Sequence, residues 1–218
     1  MIILAHRGLW QNPVDKNSAS ALRKALEDGF GVETDIRDLA GQLVVSHDPP
    51  RAGALALDDF LDAYVQSRAT GILALNIKSD GLQLALAKAL ASRRIGPDRY
   101  FVFDMGVPDA IGYLGQKMPC FTRQSEVEPE PAFIDQASGI WLDCFQEDWI
   151  NGSDILNHCL VGRHVAVVSP ELHGRHWQSA WEKWREAYRI LNQRGLSNHF
   201  MICTDHPREA KAFFDAPD

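Results

Sequence analysis

Two histidines, two acids, an asparagine and two cations stand where short apolar runs of this chain end. His6 and Arg7 follow the run 2–5. Glu33 and Asp35 lie within 31–36, and His47 follows an extended stretch over 42–46. Asn76 and Lys78 close the run 72–77. Side chains alternate along a strand, so Glu33 and Asp35 share one face, about 7 Å apart. Two carboxylates on one face repel unless positive charge separates them. Their hard oxygens suit Mg²⁺ or Ca²⁺, and Asn76 can add a neutral carbonyl oxygen. Arg7 and Lys78 can hold an anion, with phosphate the natural fit. His6 and His47 titrate near neutral pH and can serve as acid and base. The same acids could instead be spent in ion pairs with Arg7, Arg37 or Lys78, and the residues alone leave both readings open. Further on, Ser169-Pro170-Glu171-Leu172-His173 follows another apolar run. Glu171 and His173 there are candidates for touching the rest of a ligand, or for a polar turn leading into a helix. Asp205, shortly before Pro207, reads as a helix N-cap.

The elements that must position these residues alternate along the whole chain. Strands are predicted over 2–5, 31–36, 72–77, 100–103, 119–122, 139–142, 165–168 and 200–203, with an extended piece over 42–46. Helices are predicted over 18–28, 57–66, 82–94, 108–115, 131–136, 151–160, 175–194 and 207–214. Gly29 and Gly195 stop two of them, and Asp58 and Asp59 suit the first turn of another. About eight β/α units with no obvious linker imply a parallel sheet covered by helices. Eight units favour a closed (β/α)₈ TIM barrel, small and with short loops, as one domain over 1–218. The alternative, a doubly wound open sheet, would usually carry a Gly-rich phosphate loop after its first strand, and none is present. In a barrel the chemistry collects at the C-terminal strand ends, where the residues above fall.

Composition bounds the partners. The 218 residues carry 22 basic and 29 acidic side chains, a formal charge of −7. That balance argues against nucleic acid and anionic membranes as general partners, and leaves room for a local basic pocket. No apolar run approaches the length that spans a bilayer, so no stable membrane anchor is expected. Cys120, Cys144, Cys159 and Cys203 form no metal-type pair and read as reduced thiols. The first residues lack the basic start of a signal peptide, so the expected location is cytoplasmic. Trp177, Trp181 and Trp184 make a stripe on the longest helix that suits core packing or a dimer face better than a ligand platform. An oligomer stays open.

The motifs Ala5-His6-Arg7-Gly8, Val32-Glu33-Thr34-Asp35-Ile36-Arg37, Gly41 through Pro49 with His47-Asp48, Leu75-Asn76-Ile77-Lys78, Phe103-Asp104 and Thr204-Asp205-His206-Pro207 run in one order from end to end. In this the chain resembles the glycerophosphodiester phosphodiesterase family, within the phospholipase-C-like phosphodiesterases. The resemblance implies a (β/α)₈ barrel hydrolysing a glycerophosphodiester or related soluble polyol phosphodiester with a divalent metal. It matches Glu33 and Asp35 to metal ligands, His6 and His47 to the acid/base pair, and Arg7 and Lys78 to phosphate-holding cations. It also implies that a substrate hydroxyl can attack first, giving a cyclic phosphate that water then opens. A small-molecule partner, a hydrolase activity and a place in lipid metabolism follow as expectations.

Two departures stand against that pattern. Asn76 occupies the place of a family Glu, so one negative charge is missing, and Asp104, Asp143 or Glu171 is expected to compensate. Asp15-Lys16-Asn17-Ser18 stands where the family has Pro-Glu-Asn-Thr, with Lys16 in place of the acid. The departures keep two further readings in view: a non-catalytic barrel that binds a phosphate ligand, and a lyase that releases the cyclic phosphate.

Overall fold

In the computed structural model, residues 1–216 are described. The chain contains strands β1 (Ile2–His6), β2 (Gly31–Leu39), β3 (Gln42–Val45), β4 (Leu55–Ala56), β5 (Leu73–Ile77), β6 (Tyr100–Phe103), β7 (Cys120–Gln124), β8 (Gly139–Leu142), β9 (His164–Val168) and β10 (Phe200–Thr204). Between them run helices α1 (Ala19–Glu27), α2 (Leu57–Gln66), α3 (Gln83–Ser92), α4 (Val107–Gly115), α5 (Gly152–Cys159), α6 (Gln178–Gln193) and α7 (Pro207–Asp215). The fold class is the expected (β/α)₈ barrel. Its eight main strands are β1, β2 and β5 to β10, and β3 and β4 form a side branch on β2.

The chain divides into two compact units, Ala5–Cys120 and Met1–Leu4 with Phe121–Asp218. In the first, β2 pairs in parallel with β5, and β5 with β6. The β2–β5 register sets Asp35 opposite Asn76. Leu22, Val32, Leu61, Leu73, Leu75 and Leu86 are buried there. In the second, β7, β8, β9 and β10 pair in parallel in that order. Its core centres on Ile140, Val165, Trp181, Trp184, Phe200 and Phe214. Burying each large side chain contributes about 2 kcal/mol before entropy is counted.

Local chemistry explains most element ends. Ser18 caps α1 by accepting from the Ala21 N–H, and Asn151 with Asp154 closes a capping box on α5. Gly29 and Gly195 take left-handed backbone after α1 and α6.

Several expectations are corrected. The helix predicted over 131–136 is a run of turns. The segment carries Pro129 and Pro131, and the Thr122 hydroxyl draws in the Ala132 carbonyl at 2.6 Å. β2 runs three residues past Ile36, because that extension pairs with β3 as an antiparallel hairpin. The helix expected from residue 175 begins only at Gln178. The Arg175 guanidinium is tied instead to Asp148 and to the Phe145 and Cys144 carbonyls. The N-cap of α7 is His206, not Asp205. The tryptophan stripe is core packing: Trp181 and Trp184 are buried, and Trp177 stacks on His206 at 4.2 Å. All four cysteines are buried and free.

Candidate active site

The first unit draws six of the sequence-selected residues into one cluster at the C-terminal ends of β1, β2 and β5. The turn after β1 is built for close approach. Gly8 has φ +91°, and a Cβ there would sit 2.6 Å from the Ala21 backbone carbon, so only glycine fits. Arg7 takes φ +56°. Its backbone N–H reaches both the Glu33 carbonyl and, at 3.3 Å, Glu33 Oε2. The turn thereby brings Arg7 over the two acids of β2.

Asp35 is fully buried and Glu33 nearly so. Arg7 Nε lies 3.0 Å from Asp35 Oδ2, and Lys78 Nζ lies 3.7 Å from Oδ1. Lys78 also donates to Asp104 at 3.0 Å. Asn76 Nδ2 donates to Glu33 Oε1 at 3.3 Å, and His6 Nε2 is 3.9 Å from Glu33 Oε2. Burial, followed by the neighbouring Asp35 charge, pushes the Glu33 carboxyl up to about 8. Arg7, Lys78 and the Asn76 bond pull the other way.

Three polar atoms of this cluster are buried without a hydrogen-bond partner: Asp35 Oδ1, Asn76 Oδ1 and Arg7 Nε. Two such oxygens, one from a carboxylate and one from an amide, beside the Glu33 carboxyl are an unusual cost to carry. They are the donor type a hard divalent cation takes. Glu33, Asp35 and Asn76 therefore fit such an ion chemically. Among the described residues, no three His, Cys, Asp or Glu side chains gather as a metal-binding group. Asn76 contributes an amide to the cluster and not a third acid. The expected compensation by another acid is not seen. Asp104 binds Lys78, Asp143 binds His173, and Glu171 is engaged by its own neighbours.

His47 is placed differently. It is exposed on the loop after β3, and its Nδ1 meets Asp48 Oδ1 at 2.8 Å. Arg37 Nε donates to the His47 carbonyl at 2.9 Å, and the Ser46 N–H to the Asp35 carbonyl at 3.0 Å, which anchors the loop beside β2. The His47 bond and charge, with Arg7 and Arg37 adding to them, hold the Asp48 carboxyl below its usual range.

Asn17 was not singled out by the sequence reading, yet it positions the cluster. It sits at φ +61°, accepts from Thr34 Oγ1 at 2.7 Å and donates to Asp35 Oδ2 at 2.8 Å. The available signal was an Asn just before a helix cap, a type that tolerates left-handed backbone. Lys16, where the resemblance implies an acid, lies over the Trp10 ring at 4.4 Å.

The second unit holds Glu171 and His173 in a separate network. Glu171 accepts from the Ser169 and Thr204 hydroxyls and from the Asp205 N–H. His173 Nε2 meets Asp143 Oδ1 at 2.7 Å, and its ring stands edge-on to Phe145.

No family sequence model and no curated protein sequence matches the chain. Solved structures do. A candidate glycerophosphodiester phosphodiesterase from Galdieria sulphuraria is similar at TM-score 0.73 and 14% identity, over 99% of this chain and 98% of that one. A phosphodiesterase from Oleispira antarctica, solved with the product sn-glycerol-3-phosphate, is similar at TM-score 0.68 and 13% identity, over 99% and 97%. A Ca²⁺-dependent phosphatidylinositol-specific phospholipase C from Streptomyces antibioticus is similar at TM-score 0.50 and 11% identity, over 98% and 95%. The chain has the fold of the glycerophosphodiester phosphodiesterase structures along nearly its full length.

Proposed function

We propose that the protein is a phosphoric diester hydrolase of the glycerophosphodiester phosphodiesterase type, acting on a small soluble glycerophosphodiester. One observation carries this reading. Buried acids, an amide and two cations converge at strand ends, and two of their oxygens, Asp35 Oδ1 and Asn76 Oδ1, accept no hydrogen bond. The fold shared with phosphodiesterase structures supports it.

Glu33, Asp35 and Asn76 would hold a divalent metal, Mg²⁺ or Ca²⁺, which when bound supplies positive charge to phosphoryl oxygens. Arg7 and Lys78 hold the phosphodiester and offset charge on its non-bridging oxygens. A substrate hydroxyl beside the diester gives its proton to one imidazole as its oxygen bonds phosphorus. The bond to the leaving alcohol breaks, and that alcohol takes a proton from the other imidazole. Water then opens the cyclic phosphate with the two roles reversed, leaving a phosphomonoester. Asp48 fixes His47 through Nδ1, so Nε2 is its exchanging nitrogen. Glu33 Oε2 lies 3.9 Å from His6 Nε2 and helps to fix the position of that ring.

Asn76 favours a second reading, a phosphate-binding barrel without turnover, because the amide lowers the charge available to a metal. Phosphorus NMR of a glycerophosphodiester panel, with Mg²⁺, Ca²⁺ or Mn²⁺ added, separates the readings. Appearance of a phosphomonoester supports the hydrolase. A cyclic phosphate that persists identifies a lyase, and an unchanged diester that still binds identifies the binding barrel.

His173 is proposed to contact substrate, with a raised KM in His173→Ala as its test. Glu171, saturated by three internal donors, is proposed to brace that segment rather than bind ligand. Residues 1–218 are proposed to fold as one domain, which coincident unfolding by two probes would support. Four buried free thiols support a reducing, cytoplasmic setting. Among the described residues no helix is long and apolar enough to cross a membrane.

A further inference from the structure

The first unit has a second basic feature away from the cluster above. A cavity of about 240 Å³ is lined by Tyr64, Arg68, Arg93, Arg94 and Arg99, with Ala69 at its edge. These residues come from the C-terminal ends of α2 and α3 and from the segments leading into β5 and β6. They lie at the starts of those strands, whereas Asn76 and Lys78 lie at the far end of β5. Four arginines in one small cavity are notable in a chain with net charge −7.

The arginines are not equivalent. Arg93 is occupied: Asp62 and Asp58 accept from it at 2.6 and 2.7 Å, and the Ala89 carbonyl at 3.2 Å. Arg99 is half occupied. It donates to Tyr64 Oη at 2.6 Å and to the Ala69 carbonyl, while its Nε is buried without a partner. Its guanidinium lies 5.5 Å from the centre of the Tyr64 ring. Arg68 and Arg94 are exposed, and among the described residues their side chains make no ion pair. Asp98 also lies near Tyr64 and offsets part of the positive charge.

The backbone adds an independent observation. Arg68 and Arg94 each occupy the first position beyond a helix C-cap, at φ +54° and +56°. That left-handed conformation costs a side-chain-bearing residue about 1 kcal/mol, and glycine is the usual occupant. This chain uses glycine at the same position after α1 and α6, as Gly29 and Gly195. Lys117 after α4 shows that the favourable helix dipole can draw a cation there. α2 and α3, however, bring theirs into one cavity.

We propose that this cavity is a binding site for a phosphomonoester dianion. Forked guanidinium donors match phosphate oxygens. The exposed Arg68 and Arg94 supply donors that the fold itself does not use, beside the partly buried Arg99 guanidinium. The cavity is smaller than a drug-sized pocket, which suits a small phosphorylated ligand or phosphate itself.

The test separates this site from the phosphate-holding residues of the candidate active site. Inorganic phosphate and glycerol phosphate are titrated calorimetrically, at constant ionic strength, into the full chain carrying Lys78→Ala. One saturable site is expected to remain. Adding Arg68→Ala and Arg94→Ala should weaken it at least tenfold, and Arg68→Lys with Arg94→Lys should fall between, since charge is kept and the fork is lost. Circular dichroism confirms that each variant is folded. Tighter binding of glycerol phosphate would show that the site also reads the organic part, and equal binding that it reads phosphate alone. Absence of a saturable site in Lys78→Ala protein, or an unchanged affinity in the double alanine variant, would overturn the proposal. Neither outcome depends on turnover, so a failure here leaves the hydrolase reading intact.

Discussion

The two units each gather polar side chains at their strand ends, and they treat them in opposite ways. In the first, Glu33 and Asp35 are buried side by side, one carboxyl is pushed far above its normal range, and Asp35 Oδ1 and Asn76 Oδ1 have no donor. In the second, Glu171 receives two hydroxyls and an amide, Asp143 receives His173 and the Cys144 N–H, and no buried oxygen of either acid lacks a partner. Folding alone favours the second arrangement, because an unmade buried hydrogen bond costs about 1–3 kcal/mol. The first is the arrangement expected where a bound cation completes the cluster, as we propose here. Imbalance at the strand ends, rather than the mere presence of acids, is what the proposed ligand site of the first unit rests on.

The sharpest way to break this contrast is to remove one side chain from each region. His6→Ala should lower kcat by about 10²–10⁴-fold, the usual contribution of a positioned acid or base, with thermal stability little changed. Glu171→Ala should do the reverse. It strands three donors and should cost about 2 kcal/mol in denaturant unfolding, while metal-dependent turnover per folded molecule persists. A large loss of turnover in folded Glu171→Ala would erase the distinction.

A subtler change sharpens the first region. Asn76→Glu adds the missing charge and should tighten Mg²⁺ or Ca²⁺ binding about tenfold by calorimetry, roughly 1.4 kcal/mol. Unchanged affinity would remove Asn76 from the ligand set.

A further expected effect is on pH dependence. The folded Glu33 carboxyl titrates at about 8, against an ordinary 4.5. Between those values the folded chain holds a proton that the unfolded chain has released. Raising the pH through this window therefore lowers stability, by up to about 1.4 kcal/mol per pH unit. Melting in EDTA from pH 5 to 8 should show that decline for the wild type and a flatter profile for Glu33→Gln. Parallel profiles would mean that Glu33 is not the group responsible.

Much of this was legible in the sequence, for identifiable reasons. Strand period two placed Glu33 and Asp35 together, and the β2–β5 register then set Asn76 opposite Asp35. α2 and β8 have the predicted limits because apolar spacing and turn residues agree there. Long-range contacts were not legible. Asn17 reaches Thr34 and Asp35 from a left-handed turn that no periodicity reports. The sequence around Arg175 suits the start of a helix, because nothing local reveals its bonds to the 144–148 segment. The four arginines of the cavity are scattered over 68–99, and only folding brings them together.

We propose that the unbalanced cluster of the first unit is a metal-dependent phosphodiesterase site. It is tested most directly by turnover of soluble glycerophosphodiesters with Mg²⁺, Ca²⁺ or Mn²⁺ against EDTA, in wild type and His6→Ala. Turnover should need a metal and collapse in the folded variant. Turnover that survives EDTA, or equal rates in His6→Ala, would contradict it.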